Sequence, residues 1–168
     1  PEATRETVAA YLRRWLVSRD GTISPRTLDG YRGYVERSII PHIGTILLSR
    51  LRPDAIEAME KALVKIMSPT SVVQIHRILR KALQDALRWH LVARNVSDVV
   101  TPPRKATPEM KPLTPEQLDT FLSEADGTQL GPLFHLDAHT GLRRAELCGP
   151  KWSDVDLDRG TLGVQHTI

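Results

Sequence analysis

With one cysteine in 168 residues, Cys148, the chain cannot form an internal disulfide framework, and this fits a reducing compartment. No stretch approaches the roughly eighteen consecutive apolar residues that a membrane span needs. No basic start is followed by an apolar run, so no secretory signal is read. Internal repeats and low-complexity segments are also absent. These absences make a soluble, cytoplasmic protein the expectation, with no membrane partner. What the chain does have is an apolar fraction of 40%, enough for one ordinary domain or two small ones.

Charge is distributed unevenly. Residues 1–111 hold 19 lysines and arginines against 11 acids, a net +8, whereas residues 112–168 hold 4 against 9, a net −5. A basic front half suits a polyanion, because each neutralised phosphate releases condensed counterions. A merely soluble basic surface would look the same by charge alone, so position has to decide.

The front half reads as a series of helices. Val8, Tyr11, Leu12, Trp15 and Leu16 share one face of a helix from Thr4 to about Arg19, closed by Asp20-Gly21. Ser24-Pro25 pairs an N-cap with a first-turn proline and opens a helix that buries Leu28, Tyr31, Val35 and Ile39 and stops near Pro41 and Gly44. A third helix begins around Pro53-Asp54 and buries Ile56, Met59, Leu63 and Ile66. Ser68-Pro69 repeats the cap and starts the longest helix, running to about Arg94.

That helix is the most informative element. Ile75, Ile78, Leu79, Ala82, Leu83, Ala86 and Leu87 form its apolar stripe. Gln74, Arg77, Lys81, Gln84 and Arg88 follow steps of three and four along another face, a row of long donors suited to phosphates and base edges. Asp85 lies off this row, which leaves the row without an acidic neighbour one turn away. A solvated helix face would carry the same spacing.

Residues 98–113 hold four prolines and no helical period, the character of a semi-extended linker. Thr114-Pro115-Glu116-Gln117 is a capping-box signature for a helix burying Leu118, Phe121, Leu122 and Ala125. A further helix follows from about Leu130 to Thr140, and another starts near Arg143. Val155 and Leu157, separated from Leu162 and Val164 by Asp158-Arg159-Gly160, read as a β-hairpin.

The run from Thr140 to Leu147 carries the chemistry. Gly141 permits a sharp turn, which sets Arg143 at a helix N-terminus, where orphan amides and a guanidinium together favour a phosphate. Glu146, one turn on, can orient it, although a surface ion pair has the same spacing. His135 and His139 are four apart, but no third ligand is evident and no metal site is expected. Cys148 reads as a small buried hydrophobe, and Trp15, Trp89 and Trp152 as core anchors.

Thr140-Gly141-Leu142-Arg143-Arg144-Ala145-Glu146-Leu147 with Lys151-Trp152-Ser153-Asp154-Val155-Asp156-Leu157 resembles the first catalytic box of tyrosine recombinases of the phage-integrase family. The helix opened by Ser24-Pro25, the bend Ile40-Pro41-His42-Ile43-Gly44, the helix end from Ala82 to Asn95 and the linker ending in Pro112-Leu113-Thr114-Pro115-Glu116 resemble its core-binding domain and linker, in the family's order. The resemblance implies that Arg143 is the first catalytic arginine, on the scissile phosphate, and that Glu146 supports the site. Arg144 falls at a variable position with no assigned role. The family cleaves DNA with a tyrosine, keeps the bond energy in a 3′-phosphotyrosyl link and needs no metal or cofactor.

The matched stretch ends before the family's hairpin lysine, its histidine-x-x-arginine pair and its tyrosine. Lys151 precedes the tryptophan and is not that lysine. Tyr11, Tyr31 and Tyr34 fall in the front half, where packing or DNA contact is expected of them. An upstream arm-binding domain has no counterpart, and the chain alone is expected not to cleave DNA.

The expected architecture is mainly α: a helical, SAM-like core-binding domain over residues 1–100, a linker over 101–112, and over 113–168 the opening of a truncated α+β catalytic domain. Double-stranded DNA is the expected partner, with a tetramer on DNA for a full-length parent encoded by a phage or bacterium. Arg26, Thr27 and Arg37, the row Gln74, Arg77, Lys81, Gln84 and Arg88, and the linker pair Arg104 and Lys105 are the expected DNA contacts. Two rivals remain at this point: a natural short form that occupies recombination sites without catalysis, and a helical module whose basic row meets an acidic protein.

Overall fold

A computed structural model of the chain describes residues 5–104 and 109–167, so Thr4 and Lys105 lie outside the described residues. The chain divides into two compact units, Pro1–Pro108 and Glu109–Ile168. The fold is mainly helical.

In the first unit, α1 (Val8–Ser18) opens on Thr7, whose hydroxyl accepts the amide of Ala10, and buries Val8, Tyr11, Leu12, Trp15 and Leu16. Its entry is tied down by backbone bonds: Val8 donates to Ile46 at 2.8 Å, and Leu48 donates to Glu6 at 2.9 Å. α2 (Pro25–Tyr34) starts on the expected cap, with Ser24 Oγ accepting the amide of Thr27. The helix does not stop there. Its next turn, Val35–Ile39, widens to π geometry and runs on into α3 (Ile40–Ile43). The wide turn lets Val35 and Ile39 both reach the core while Pro41, lacking an amide, is accommodated.

α4 (Pro53–Leu63) buries Ile56, Met59 and Leu63. Ile66 was expected on that buried face, yet it is 77% exposed. The helix has already ended at Leu63, so the period that would have carried Ile66 inward is lost. α5 (Pro69–Arg88) begins on Ser68 as expected but stops short of Arg94. The cause is His90, whose φ of 57° puts it in the left-handed region, with Leu91 donating back to Ala86 at 2.9 Å. A histidine here does what glycine usually does, which is why the stop was hard to see.

The core of this unit joins α1, the π turn, α4 and α5, with Ile75, Ile78, Leu79, Ala82, Leu83 and Ala86 as the α5 contribution. Truncating one of these isoleucines or leucines to alanine costs about 2–5 kcal/mol. Trp15 stacks on Tyr31 at 6.0 Å, and Tyr11 meets Trp89 edge-on at 6.3 Å.

In the second unit, α6 (Pro115–Ala125) has the full capping box: Thr114 donates its amide to Gln117 Oε1, and Gln117 returns its amide to Thr114 Oγ1. α7 (Gly131–Thr140) packs Phe134 edge-on against Phe121 at 5.3 Å. α8 (Arg144–Leu147) is one turn long, and it ends before Gly149, whose backbone is closely approached by the His166 carbonyl. A two-stranded antiparallel hairpin closes the unit, β1 (Val155–Asp156) with β2 (Thr161–Leu162), Val155 facing Leu162. Gly160 takes φ 60° in its turn, so Leu157 falls in the loop rather than in a strand.

Three expected core residues of this unit are exposed: Trp152 at 86%, Phe121 at 44%, and Cys148. Only Leu122, Ala125, Gly131 and Leu147 are buried among the described residues of this unit, too few to cover a tryptophan on a short turn. No helix among the described residues is long and apolar enough to cross a membrane.

Candidate nucleic-acid interface

α5 buries one side and shows the other. Arg77, Lys81 and Arg88 are exposed, whereas Gln74 and Gln84 are half-buried at the edge of the row. Arg77, Arg80, Lys81, Gln84, Asp85 and Arg88 line a shallow hollow along this face. The heptad-like spacing that keeps them together is the same spacing that sends Ile78, Leu79, Ala82 and Leu83 inward.

The donors in this hollow are not equivalent. Arg80 is engaged, its Nε 2.7 Å from Asp98 Oδ1. Gln84 Oε1 accepts from Asn95 Nδ2 at 3.4 Å. Arg77 and Lys81 take part in no ion pair among the described residues. The row was expected to have no acidic neighbour, and that is corrected here: Asp85 Oδ1 lies 3.6 Å from an Arg88 guanidinium nitrogen. Asp85 sits off the row in angle, but the flexible Arg88 side chain folds back over it. Arg80 was missed by the sequence, although it stands three residues after Arg77 and four before Gln84.

On α2, Arg26 and Thr27 are exposed in the first turn, but the Thr27 hydroxyl is shared with the cap at 2.8 Å from Ser24 Oγ. Arg37 projects from the π turn, with Nε 3.4 Å from the Gly33 carbonyl. Arg104 is exposed at the edge of the described residues, and Lys105 lies outside them.

In the second unit, Gly141 caps α7 with φ 63°, a conformation costly to any residue with a Cβ. The chain then places Arg143 at the N-cap of α8 with an extended backbone. Glu146 accepts twice from it: Oε2 from the Arg143 amide and Oε1 from its guanidinium, both at 2.9 Å. These two bonds, the amide first, hold the Glu146 carboxyl below the usual carboxylate range. The amide expected to greet an anion is therefore taken by Glu146, and one helical turn supplies little dipole. What remains for an anion is the rest of the guanidinium, beyond the nitrogen bonded to Glu146, on a side chain 85% exposed. His135 and His139 stack at 6.2 Å, but His135 is bound to Asp126, and no metal-ligating group of three is found among the described residues.

The three tyrosines are occupied in the first unit. Tyr11 is fully buried and donates its hydroxyl to the Ala82 carbonyl, and burial pushes its pKa well above the usual phenol range. Tyr31 packs on Trp15, and Tyr34 lies half-buried against the core.

Residues 7–63 match the family described as phage integrase, N-terminal SAM-like domain. The chain is 31% identical over 165 residues to an integrase of Mycobacterium phage L5, covering 97% of this chain and 43% of that protein. It is 25% identical over 165 residues to an integrase of Saccharopolyspora erythraea, covering 94% and 38%. It thus spans about two fifths of the length of these curated relatives. Among solved structures, the Tn1549 transposon integrase in complex with circular intermediate DNA is similar in fold, with TM-score 0.79, 24% identity, and coverage of 96% of this chain and 55% of that one. A lambda integrase dimer bound to a COC′ core site gives TM-score 0.82 and 21% identity, covering 90% and 56%.

Proposed function

The chain belongs to the phage integrase, or tyrosine recombinase, family, and from that premise we propose that it binds double-stranded DNA through the exposed face of α5 and carries the first catalytic arginine of site-specific recombination. The observation that supports this best is the hollow on α5, where Arg77 and Lys81 stand side by side with no acidic partner among the described residues. Two unspent cations in one concave strip suit successive phosphates of a duplex backbone. Arg26, Thr27, Arg37, Gln74, Gln84, Arg88, Arg104 and Lys105 extend the proposed contact.

Arg143 is assigned to the scissile phosphate. Its guanidinium can form two hydrogen bonds to phosphate oxygens, and these strengthen as negative charge builds in the transition state. Glu146 positions that guanidinium and moves no proton. In the whole reaction a tyrosine hydroxyl attacks the phosphorus, a 3′-phosphotyrosyl bond forms and a 5′-hydroxyl leaves. A second 5′-hydroxyl reverses the step on the new strand, with no metal or cofactor. Tyr11, Tyr31 and Tyr34 are held in the helical unit and do not supply that nucleophile, and the proposal for residues 1–168 by themselves is DNA binding without cleavage. The lambda protein was seen as a dimer on its core site, and assembly of a full-length parent into a tetramer on DNA belongs to the same proposal.

The test is a titration with random duplex DNA at several salt concentrations, beside the Arg77→Glu/Lys81→Glu variant. Binding should weaken across all sequences, and the slope of log affinity against log salt should fall by about 1.8, two phosphates' worth. Unchanged affinity and slope would remove DNA from α5.

A further inference from the structure

One acid lines the basic hollow of α5, and by simple charge it should repel the DNA proposed to lie there. Asp85 is 5% exposed, and Trp15 Nε1 donates to its Oδ2 at 2.8 Å. Two guanidiniums flank it, Arg19 at 3.6 Å from Oδ2 and Arg88 at 3.6 Å from Oδ1. At that distance they are attracted to the carboxylate but not hydrogen-bonded to it. Their donors therefore stay unspent. Arg19 lies 5.9 Å over the Trp15 ring with its Nε buried and unpartnered among the described residues. The Arg88 side chain is 72% exposed, with its donors open to solvent. Arg80, four residues before Gln84 in the same hollow, shows the contrast: its Nε is committed to Asp98 at 2.7 Å.

We propose that Asp85 is a positioning residue for DNA: its buried carboxylate restrains Arg88 at the wall of the hollow with its donors free for a backbone phosphate. The inference rests on the assignment of α5 as the DNA face. A long arginine on an exposed helix loses rotamer freedom when it binds, and a fixed charge beneath it removes part of that cost in advance. The Trp15 hydrogen bond fixes the carboxylate in turn, so the restraint on Arg88 is anchored in the core of α1. A charge that merely happened to be in the hollow and a charge that positions Arg88 predict opposite signs on removal.

The experiment compares the full chain with Asp85→Asn, Arg88→Ala and the double variant, titrated with random duplex DNA at several salt concentrations. Asparagine keeps the shape and an oxygen for the Trp15 indole. If Asp85 positions Arg88, Asp85→Asn weakens binding about fivefold in the protein with Arg88 and not at all once Arg88 is alanine. Tighter binding by Asp85→Asn overturns the proposal, because the acid then only repels. An equal loss in both backgrounds also overturns it, because the effect is then on the fold. Should Asp85→Asn not fold, Arg88→Ala alone decides: unchanged affinity and salt slope overturn the proposal, while a slope lower by about 0.9 fits it. If the Arg77/Lys81 reversal weakens binding and Asp85→Asn does not, this inference fails while the DNA face stands. If the reversal changes nothing, the DNA face itself fails.

Discussion

His76 Nδ1 lies 2.7 Å from Glu60 Oε1, and both residues are buried where α5 meets α4. Neither side chain has another hydrogen-bond partner among the described residues. Each therefore depends on the other, since a buried carboxylate without a partner is strongly disfavoured. Both are almost wholly withdrawn from solvent, Glu60 at 4% and His76 at 5% exposure, so water is a poor substitute for a missing member.

From this pairing, His76→Leu should cost about 3 kcal/mol in urea unfolding, because it strands Glu60. The double variant Glu60→Met/His76→Leu should recover most of that loss, since an apolar pair of similar volume carries no desolvation cost. A single substitution costing under about 1 kcal/mol would show that the pair is not a mutual dependence. DNA binding at low temperature should be unchanged in the double variant, as neither residue reaches the α5 hollow.

A second expectation concerns pH at the Arg143 turn. The Arg143 amide, then its guanidinium, hold the Glu146 carboxyl below the usual carboxylate range. For an acid whose folded pKa is depressed, the ordering it provides is present above the unfolded pKa and is lost as pH falls through the folded one. The Arg143 turn should therefore be fully ordered at neutral pH and loosen only in acid below the ordinary carboxylate range. NMR titration of the Glu146 side chain and the Arg143 amide reads this directly. A Glu146 midpoint at or above the ordinary value, or an Arg143 amide indifferent to it, would sink the pairing. Glu36 gives an internal comparison in the other unit, where its bond to Arg13 lowers it in the same direction.

Much of the fold was legible because local chemistry decided it. Ser24, Ser68 and Thr114 each precede a first-turn proline, and each caps a helix as read. The apolar stripe of α5 is its buried face, except that Leu87 at its end is only half-buried. What was not legible came from contacts distant in sequence. Asp85 is an acid off a basic row until α1 brings Trp15 and Arg19 against it, about seventy residues away in sequence. The π turn at Val35–Ile39 has no residue signal of its own, and His90 in the left-handed region resembles no helix stop. At the candidate site, Gly141, Arg143 and Glu146 fall where their spacing puts them, because three- and four-residue steps are local. The expectation that failed there was the free amide at Arg143, since Glu146 was read as orienting a side chain and it binds the backbone as well.

The last prediction follows from Gly141. Its φ is 63°, its amide donates to the Asp137 carbonyl at 2.8 Å, and nothing lies within 4 Å of the position a Cβ would take. With space available, substitution meets only the backbone cost of the left-handed region, about 1–2 kcal/mol for alanine. Asparagine tolerates that region better, so Gly141→Asn should cost less than Gly141→Ala. Because the cost falls on the last turn of α7, amide exchange of the Asp137 to Gly141 segment should speed up while α5 amides keep their rates. Arg143, two residues on, should lose its fixed relation to Glu146, seen as an upward move of the Glu146 midpoint toward the ordinary carboxylate value. DNA affinity carried by α5 should hold in the same variant. Alanine tolerated with unchanged exchange and an unmoved Glu146 midpoint would mean that the left-handed turn at Gly141 is not what sets Arg143 in place.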